Sequence, residues 1–567
     1  MGKILLPAPR AWVPVYPSDI PAELPPLEHP SLSSFFEKSL MQNAALPAHT
    51  SMGKTITYGD WDKGSANFAG WLQSLGLKPG TRIAVMLPNI LQSPIVIAAI
   101  LRAGYVLTSV NPLYTPRELK NQLNDSGAEA IIVLENFAHT LQKVVSETNI
   151  KHVCVTSMGD MFIGDALGLK SQVVNLVVRR VKKMVPKWSL PGHVPYRTAL
   201  STGAKSGFTP HDNTHDDIAL LQYTGGTTGV PKAAMITHGN LLSNIEQSAI
   251  WVESAIKSKK QVDQITFLCA LPLYHIFALT VNLMISTRLG SHNLLIANPR
   301  DIPGFVKELE KHPVHIFAGL NTLFNALMNN PDFRKLDFSE LLISASGGMK
   351  TQTAVANRWE TITGSIIHEA YGLSETSPVV CGNLFDDDHF NGTIGIPVSS
   401  TIVEVRGEDN KELPFGEIGE ICVRGPQVMK GYWNNPEETE NVMTEDGFFK
   451  TGDIGLMSNE GYITLVDRVK DMILVSGFNV YPNELEDVIA LLDGVQECAA
   501  IGIQNTEGHE DIKLFVVRSN PDLTEEQIRD YCKTQLTNYK RPKHIVFRDE
   551  LPKTNVGKVL RRALRET

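Results

Sequence analysis

Residues 82–134 read RIAVMLPNILQSPIVIAAILRAGYVLTSVNPLYTPRELKNQLNDSGAEAIIVL, and their rhythm decides the fold class. Arg82 to Leu87 is an apolar run of strand length, and Ser93-Pro94 then offers an N-cap and a first-turn proline to an apolar helix that ends at Gly104. Tyr105 to Val110 is strand-like again. Thr115-Pro116-Arg117-Glu118 has capping-box spacing, with Leu119 and Leu123 on one face of the helix it opens, and Ala130 to Leu134 is a third apolar run. Apolar strands alternating with helices imply a parallel sheet covered on both faces.

Outward from this stretch the alternation continues to about residue 400. Thr401 to Val405 and Glu420 to Val423 then read as short strands between Gly and Pro turns, a smaller β-rich subdomain. Past Asp467 the pattern becomes compact α+β. A strand near Met472 to Val475 precedes a helix opened by Pro482, with Leu485, Val488, Ile489 and Leu492 at helical spacing; Lys513 to Val517 is a further strand, and Thr524 with Gln527 caps another helix. The expected class is therefore α/β: a large N-terminal domain over residues 1–467, with helix-covered parallel sheets plus the β-rich subdomain, and a small α+β C-terminal domain over residues 468–567. The charged run Asp467-Arg468-Val469-Lys470-Asp471 marks the boundary.

A chain of 567 residues exceeds one ordinary hydrophobic core, and 43% hydrophobic with 20% charged residues is a globular composition. The net charge of -9 weighs against nucleic acid as a partner, because neutralising phosphates needs a basic surface. Six scattered cysteines without a CxxC pair fit a reducing compartment, and Pro7 and Pro9 interrupt the amino terminus before a signal peptide could form, so a cytoplasmic location is expected. Ile265 to Ile285 is charge-free apart from His275, yet Pro272 and Tyr274-His275 favour a buried strand and core helix over a membrane span. Ser171 to Trp188 joins Val173, Val174, Leu176, Val177, Val178 and Val181 to Arg179, Arg180, Lys182, Lys183 and Lys187; it reads either as an interfacial helix on the inner face of an anionic membrane or as a packed helix with a solvated basic end.

The sharpest chemical signal is Tyr223-Thr224-Gly225-Gly226-Thr227-Thr228-Gly229-Val230-Pro231-Lys232, directly after the apolar run Ile218 to Leu221. Glycines let backbone approach an anion, threonines add hydroxyl donors and Lys232 adds a cation, which is a composition that cradles phosphates. The spacing is not that of the P-loop, and a plain surface turn is the competing reading.

This stretch resembles the phosphate loop of the adenylate-forming superfamily of acyl-CoA synthetases, peptide-synthetase adenylation domains and luciferases. Further blocks match in order. Tyr371-Gly372-Leu373-Ser374-Glu375-Thr376 resembles the segment whose ring stacks on adenine, whose hydroxyl residue (Ser374) meets phosphate and whose glutamate binds magnesium, with Thr224 as a second magnesium contact. Thr451-Gly452-Asp453 and Arg468 resemble the residues that hold the ribose hydroxyls. Leu551-Pro552-Lys553-Thr554-Asn555-Val556-Gly557-Lys558 resembles the segment carrying the adenylation lysine. Across nearly its whole length the chain is similar to bacterial long-chain fatty-acid–CoA ligases, including Asn111-Pro112-Leu113-Tyr114-Thr115-Pro116-Arg117-Glu118-Leu119, Leu271-Pro272-Leu273-Tyr274-His275-Ile276-Phe277 and Asp446-Gly447-Phe448-Phe449-Lys450-Thr451-Gly452-Asp453-Ile454.

The resemblance implies ATP-dependent conversion of a long-chain fatty acid to an acyl-adenylate and its transfer to coenzyme A, with ATP, Mg2+ and coenzyme A required. Partners are then small molecules and not nucleic acid, with a peripheral membrane contact and a homodimer left open. Lys558 would bridge carboxylate and phosphate oxygens, Glu375 would hold magnesium, and His275 would orient substrate or else sit as a satisfied core histidine. Gly347-Gly348 and Ala318-Gly319 would leave room for adenine and acyl chain, with Phe277 and Met349 as apolar walls. A mobile C-terminal domain would rotate about Lys470 and bring Ser476-Gly477 to the thiol channel, where Gly477 lets pantetheine pass. Two anions must meet in such a reaction, and a unit charge at about 4 Å contributes roughly 4 kcal/mol at an effective dielectric near 20, so cations are obligatory. Departures from the family pattern are Phe448 for a tryptophan, Ser374 as the hydroxyl residue, and Leu474-Val475 where a lysine is common. A carrier-loading acyl-AMP ligase and a silent nucleotide- or lipid-binding protein are the competing readings; no long insertion between Arg300 and Gly347 disfavours the first, and Lys558, Glu375 and Asp453 together disfavour the second.

Overall fold

The short apolar runs become strands because alternate side chains can be buried on both sides. The first sheet has seven strands, in spatial order Val194–Pro195, His152–Thr156, Ala130–Leu134, Arg82–Met86, Val106–Ser109, Ile218–Thr224 and Lys232–Thr237. All pairings are parallel except the last, where Ile218–Thr224 and Lys232–Thr237 form an antiparallel hairpin. Ile83 and Val85 point into a core shared with the helices Leu32–Gln42, Tyr58–Ser74 and Gln92–Arg102, while Ala84 and Met86 pack on the other face with Leu119 and Leu123 of helix Pro116–Ser126. The computed structural model describes residues 10–162, 169–224, 232–259, 261–475, 478–505, 510–554 and 558–565.

The second sheet has nine strands, ordered Ile396–Pro397, Val379–Gly382, Ile367–Gly372, Ile343–Ser346, Ile316–Gly319, Thr266–Cys269, His292–Leu295, Pro47–Ser51 and Lys54–Thr57. Its centre is parallel and its outer pairs are antiparallel. Helix His238–Ser258 ties the two sheets together: Leu241, Leu242 and Ile245 belong to the first core, and Ala249, Val252 and Ala255 to an apolar cluster on the second sheet with Phe267, Ile316 and Ile343. A four-stranded antiparallel sheet follows, Ile402–Arg406, Gly419–Arg424, Phe449–Met457 and Ile463–Arg468. After it, the strands Val495–Gln504, Glu510–Arg518 and His544–Arg548 and the helices Pro482–Ala490 and Glu525–Gln535 enclose their own apolar cluster, with Leu485, Ile489, Leu514, Val516 and Ile528 at its centre.

The α/β class with a β-rich third sheet is as expected, and both capping boxes form, at Thr115/Glu118 and Thr524/Gln527. Ser93 differs from its expected role. The helix begins at Gln92 after Leu91, with no side-chain cap, and the Ser93 hydroxyl donates to the Pro88 carbonyl at 2.5 Å, closing the preceding turn instead. The span Ile265 to Ile285 resolves into the buried strand Thr266–Cys269, a helical turn Ile276–Ala278 and a π-helix Leu279–Ile285. Among the described residues no helix is long and apolar enough to cross a membrane. All six cysteines are buried and unpaired.

The strand Ile367–Gly372 runs directly into the 3-10 turn Ser374–Thr376, and Gly372 makes that junction sterically possible. A Cβ on Gly372 would sit 1.9 Å from the Pro378 carbonyl oxygen of the returning strand. Gly372→Ala is therefore expected to force the turn apart, lowering stability by about 3 kcal/mol or more. A thermal melt and a circular dichroism spectrum check this; an unchanged melting temperature contradicts it.

Candidate functional site

The register of the third sheet sets Asp453 opposite Arg468, and their side chains meet at 2.9 Å from Arg468 Nε to Asp453 Oδ1. The other carboxylate oxygen accepts the Tyr371 hydroxyl at 2.7 Å, from the second sheet. Asp453 is only 2% exposed, so this double engagement satisfies a charge that would otherwise be very costly to bury. Nearby, Glu375 is 8% exposed, its Oε1 accepts the Tyr432 hydroxyl at 2.8 Å, and its carbonyl accepts the Met429 N–H at 2.7 Å. Burial pushes the Glu375 carboxyl above the usual carboxylate range, and the Tyr432 hydrogen bond opposes that rise.

Lys558 reaches this cluster from the far end of the chain. Its Cε and Nζ would lie 3.5 and 3.9 Å from a Cβ placed on Gly348, whose φ of +78° suits glycine alone at low cost. Burial, helped by Arg468, pushes the Lys558 amine down to about 8, while Asp453 and Glu375 pull it upward. His275 faces the same amine: burial first, then Lys558, depress its imidazole to about 3, so the ring is neutral. Its Nδ1 accepts the Phe277 N–H at 3.3 Å, which leaves the ring proton on Nε2 as a donor. Phe277 in turn packs against Gly347, its Cζ 3.1 Å from where a Cβ would stand. Lys350, two residues past Gly348, pairs with Asp487 of helix Pro482–Ala490 at 2.5 Å, and Asn483 donates its backbone N–H to Asp467 Oδ2 at 2.9 Å. In this arrangement the C-terminal unit presents Lys558 to the carboxylates.

The site so assembled has two buried carboxylates and two cations, Arg468 and Lys558, around a glycine-lined floor. Residues 36–433 match the family described as AMP-binding enzyme, and residues 484–558 match the AMP-binding enzyme C-terminal domain. The long-chain-fatty-acid–CoA ligase of Escherichia coli O6:H1 is 50% identical over 98% of this chain and 98% of that protein. This chain belongs to the AMP-binding enzymes. The solved structure of ATP-bound MatB from Rhodopseudomonas palustris superposes with a TM-score of 0.76 at 27% identity, covering 94% of this chain and 98% of that one. The anthranilate CoA ligase AuaEII in complex with anthranoyl-AMP shares the fold at a TM-score of 0.81 and 22% identity, over 97% of this chain and 98% of that one.

In this AMP-binding enzyme the structure brings together Tyr371, Ser374, Glu375, Asp453, Arg468, Lys558, Gly347, Gly348 and His275. Gly225, Gly226, Thr227, Thr228, Gly229 and Gly477 lie outside the described residues. Thr224 closes that strand and donates its hydroxyl to the Lys232 carbonyl at 3.3 Å. Lys232 is not left free as a phosphate cation: its amine pairs with Glu438 and lies 5.6 Å over the Tyr432 ring. Tyr223 turns its hydroxyl away, donating to Asp125 Oδ2 at 2.6 Å. Lys470 is exposed beside Arg468, and partial burial and that arginine hold its amine near 8.

Sequence reasoning missed Tyr432 and Glu438, which organise Glu375 and Lys232; the only local hint was an aromatic pair after Gly431 followed by the cap Asn435-Pro436. The Glu375 carboxylate and the Thr224 hydroxyl are the oxygen donors that would hold an Mg2+ ion, and among the described residues no group of three or more His, Cys, Asp or Glu side chains is placed to cage a resident metal.

The depressed Lys558 amine is directly measurable. Competitive labelling of Lys558 in the nucleotide-free protein, followed across pH by mass spectrometry, is expected to titrate near 8; a midpoint in the ordinary lysine range contradicts the burial described above.

Proposed function

We propose that this AMP-binding enzyme joins a long-chain fatty acid to coenzyme A through an acyl-adenylate, releasing AMP and pyrophosphate. The observation that carries the reading is the convergence of Glu375, Asp453, Arg468 and Lys558, drawn from two sheets and the carboxyl terminus, at one glycine-lined floor. Identity to the bacterial ligases along both whole chains supports the long-chain acid and the thiol acceptor.

In the first half-reaction the Lys558 amine sits between carboxylate and α-phosphate, neutralising two anions as they meet, and contributes a few kcal/mol of electrostatic stabilisation. Asp453 and Arg468 hold the ribose, the Tyr371 ring backs the adenine, and Ser374 donates to phosphate. Mg2+, when bound at Glu375 and Thr224, supplies positive charge to the triphosphate. Tyr432 fixes which oxygen of Glu375 faces the site. The His275 Nε2–H orients the fatty carboxylate while Phe277 and Met349 line the start of the acyl path. Attack by a carboxylate oxygen on the α-phosphorus forms the anhydride and expels pyrophosphate.

The thiol then needs access to the carbonyl carbon that Lys558 overhangs. The chain divides at 467/468, and the C-terminal unit turns about Lys470, withdrawing Lys558 and breaking the Lys350–Asp487 pair, so that the segment at Gly477 lines the thiol channel. The thiolate sulfur attacks the carbonyl and AMP leaves.

Activity is tested with acids from acetate through oleate and one aromatic acid, with and without coenzyme A; oleate is expected to give oleoyl-CoA and AMP in equal amounts, and a preference for acetate or the aromatic acid contradicts the substrate class. Lys558→Ala should lower adenylate formation by about 100-fold or more while thiolation of supplied acyl-adenylate changes little. Equal loss in both half-reactions contradicts the role of Lys558. Lys470→Pro should impair thiolation more than adenylation, and the reverse ranking contradicts the hinge.

A further inference from the structure

The first backbone N–H groups of a helix have no partner within it, and a helix that starts without a capping side chain must find acceptors elsewhere. Helix Pro482–Ala490 follows Tyr481 with no side-chain cap of its own. Its Asn483 N–H is taken instead by Asp467 Oδ2 at 2.9 Å, a carboxylate 1% exposed that stands on the far side of Lys470. The other oxygen of that carboxylate accepts the Arg468 N–H at 2.7 Å. A negative charge at a helix N-terminus meets the positive end of the peptide dipoles, so the contact favours both partners.

The Asn483 side chain spans the same gap. Its Nδ2 donates to the Val466 carbonyl at 3.3 Å, and its Oδ1 accepts from Arg561 Nη2 at 2.8 Å. A carbonyl only accepts and a guanidinium only donates, so these partners fix which way the amide faces. Val466 lies in the strand Ile463–Arg468 of the third sheet, whereas Arg561 opens the short helix Arg561–Arg565, three residues past Lys558. One carboxamide therefore joins the sheet that supplies Asp453 and Arg468 to the segment that supplies Lys558.

Within the C-terminal unit Arg561 is firmly seated. It meets Glu486 at 2.9 Å and Asp471 at 3.5 Å, Arg565 meets the other oxygen of Asp471 at 3.0 Å, and Leu564, 1% exposed, packs with Ile501 and Phe515. Lys558 is tied to the same body: the Thr554 N–H donates to its carbonyl at 2.7 Å, and the Leu560 N–H donates to the Pro552 carbonyl at 2.8 Å. Glu486, Asp471 and Arg565 all follow Lys470 in the chain and stay with Arg561 when the unit turns. The bonds from Asn483 to Asp467 and Val466 cross Lys470 and must break.

We propose that Asn483 is a positioning residue for the first half-reaction, a latch across the hinge that holds the unit bearing Lys558 against the third sheet while the acyl-adenylate forms. The inference rests on the two-step reading proposed above and on its turn about Lys470. Asn483 acts through Arg561 and the Lys558 segment, not on the reacting atoms. Exchanging its few hydrogen bonds for bonds to water has a small net cost, so the latch favours one arrangement without freezing it.

The test compares half-reactions in the full chain. Asn483→Asp keeps an acceptor for Arg561 but sets a carboxylate against the Val466 carbonyl and beside Asp467. It should lower oleoyl-adenylate formation about tenfold, while thiolation of supplied oleoyl-adenylate changes by about twofold or less. Asn483→Ala, which removes both side-chain bonds and adds no charge, should give the same pattern at about fivefold. Glu484→Gln, on the same helix but paired with Lys540 inside the unit, should change neither step. A second readout needs no substrate: carbodiimide coupling of Lys350 to Asp487, quantified by mass spectrometry against the Lys553–Glu497 link inside the unit. Asn483→Asp should lower that ratio about threefold or more, and Glu484→Gln should leave it at the wild-type value. Equal loss in both half-reactions, wild-type adenylation in both Asn483 variants, or an unchanged coupling ratio would each overturn the latch. A wild-type protein that forms no oleoyl-adenylate would count against the ligase reading, and the coupling ratio would still decide the latch.

Discussion

A carboxylate that is 2% exposed has to be held by something, and Asp453 is held by two groups that come from different parts of the fold. Tyr371 reaches it from a strand of the nine-stranded sheet, and Arg468 reaches it across a hairpin, at the end of the strand Ile463–Arg468. This pairing ties the third sheet to the second and places a guanidinium at the end of the third sheet's last strand. The rest of the site lies close to it: Glu375 follows four residues after Tyr371, and Lys558 returns within electrostatic reach of Arg468 and Asp453.

The same economy explains why the site can work on two anions in succession. Lys558 loses much of its affinity for a proton on burial beside Arg468, yet two buried carboxylates draw the other way. Arg468 pairs with Asp453 independently of Lys558, so the withdrawal of Lys558 proposed above would not strip Asp453 of its ion pair. Polar ties that keep Lys558 in place include Lys350 with Asp487 and the Asn483 N–H with Asp467. Half-exposed ion pairs of this kind contribute about 1 kcal/mol or less, which is compatible with the rotation proposed above.

Local features of the fold were legible from residues alone. Thr115 and Glu118 lie three apart and need no distant partner to form a capping box, and the alternation of Ile83, Ala84, Val85 and Met86 between two cores follows from the pleat. Ser93 misled because a serine before a proline offers two local bonds, to a helix terminus or to the preceding turn, and only the turn at Pro88 decided between them. The site was legible as blocks and not as contacts. Lys232 stands in a phosphate-like run, yet its ion partner Glu438 is 206 residues away, and Tyr432 meets Glu375 across 57 residues. Such pairings depend on how sheets stack, which no local pattern states. His275 carried two readings in the sequence; its neutral ring, backbone-bonded Nδ1 and proximity to Lys558 are properties of the assembled site.

The central claim is that a carboxylate oxygen of the fatty acid becomes bonded to the α-phosphorus of ATP at this cluster. Turnover of oleate labelled with 18O in both carboxylate oxygens, in the presence of ATP and coenzyme A, reads that bond directly. One labelled oxygen should appear in the AMP formed and none in pyrophosphate. Unlabelled AMP, or label recovered in inorganic phosphate, would contradict the account.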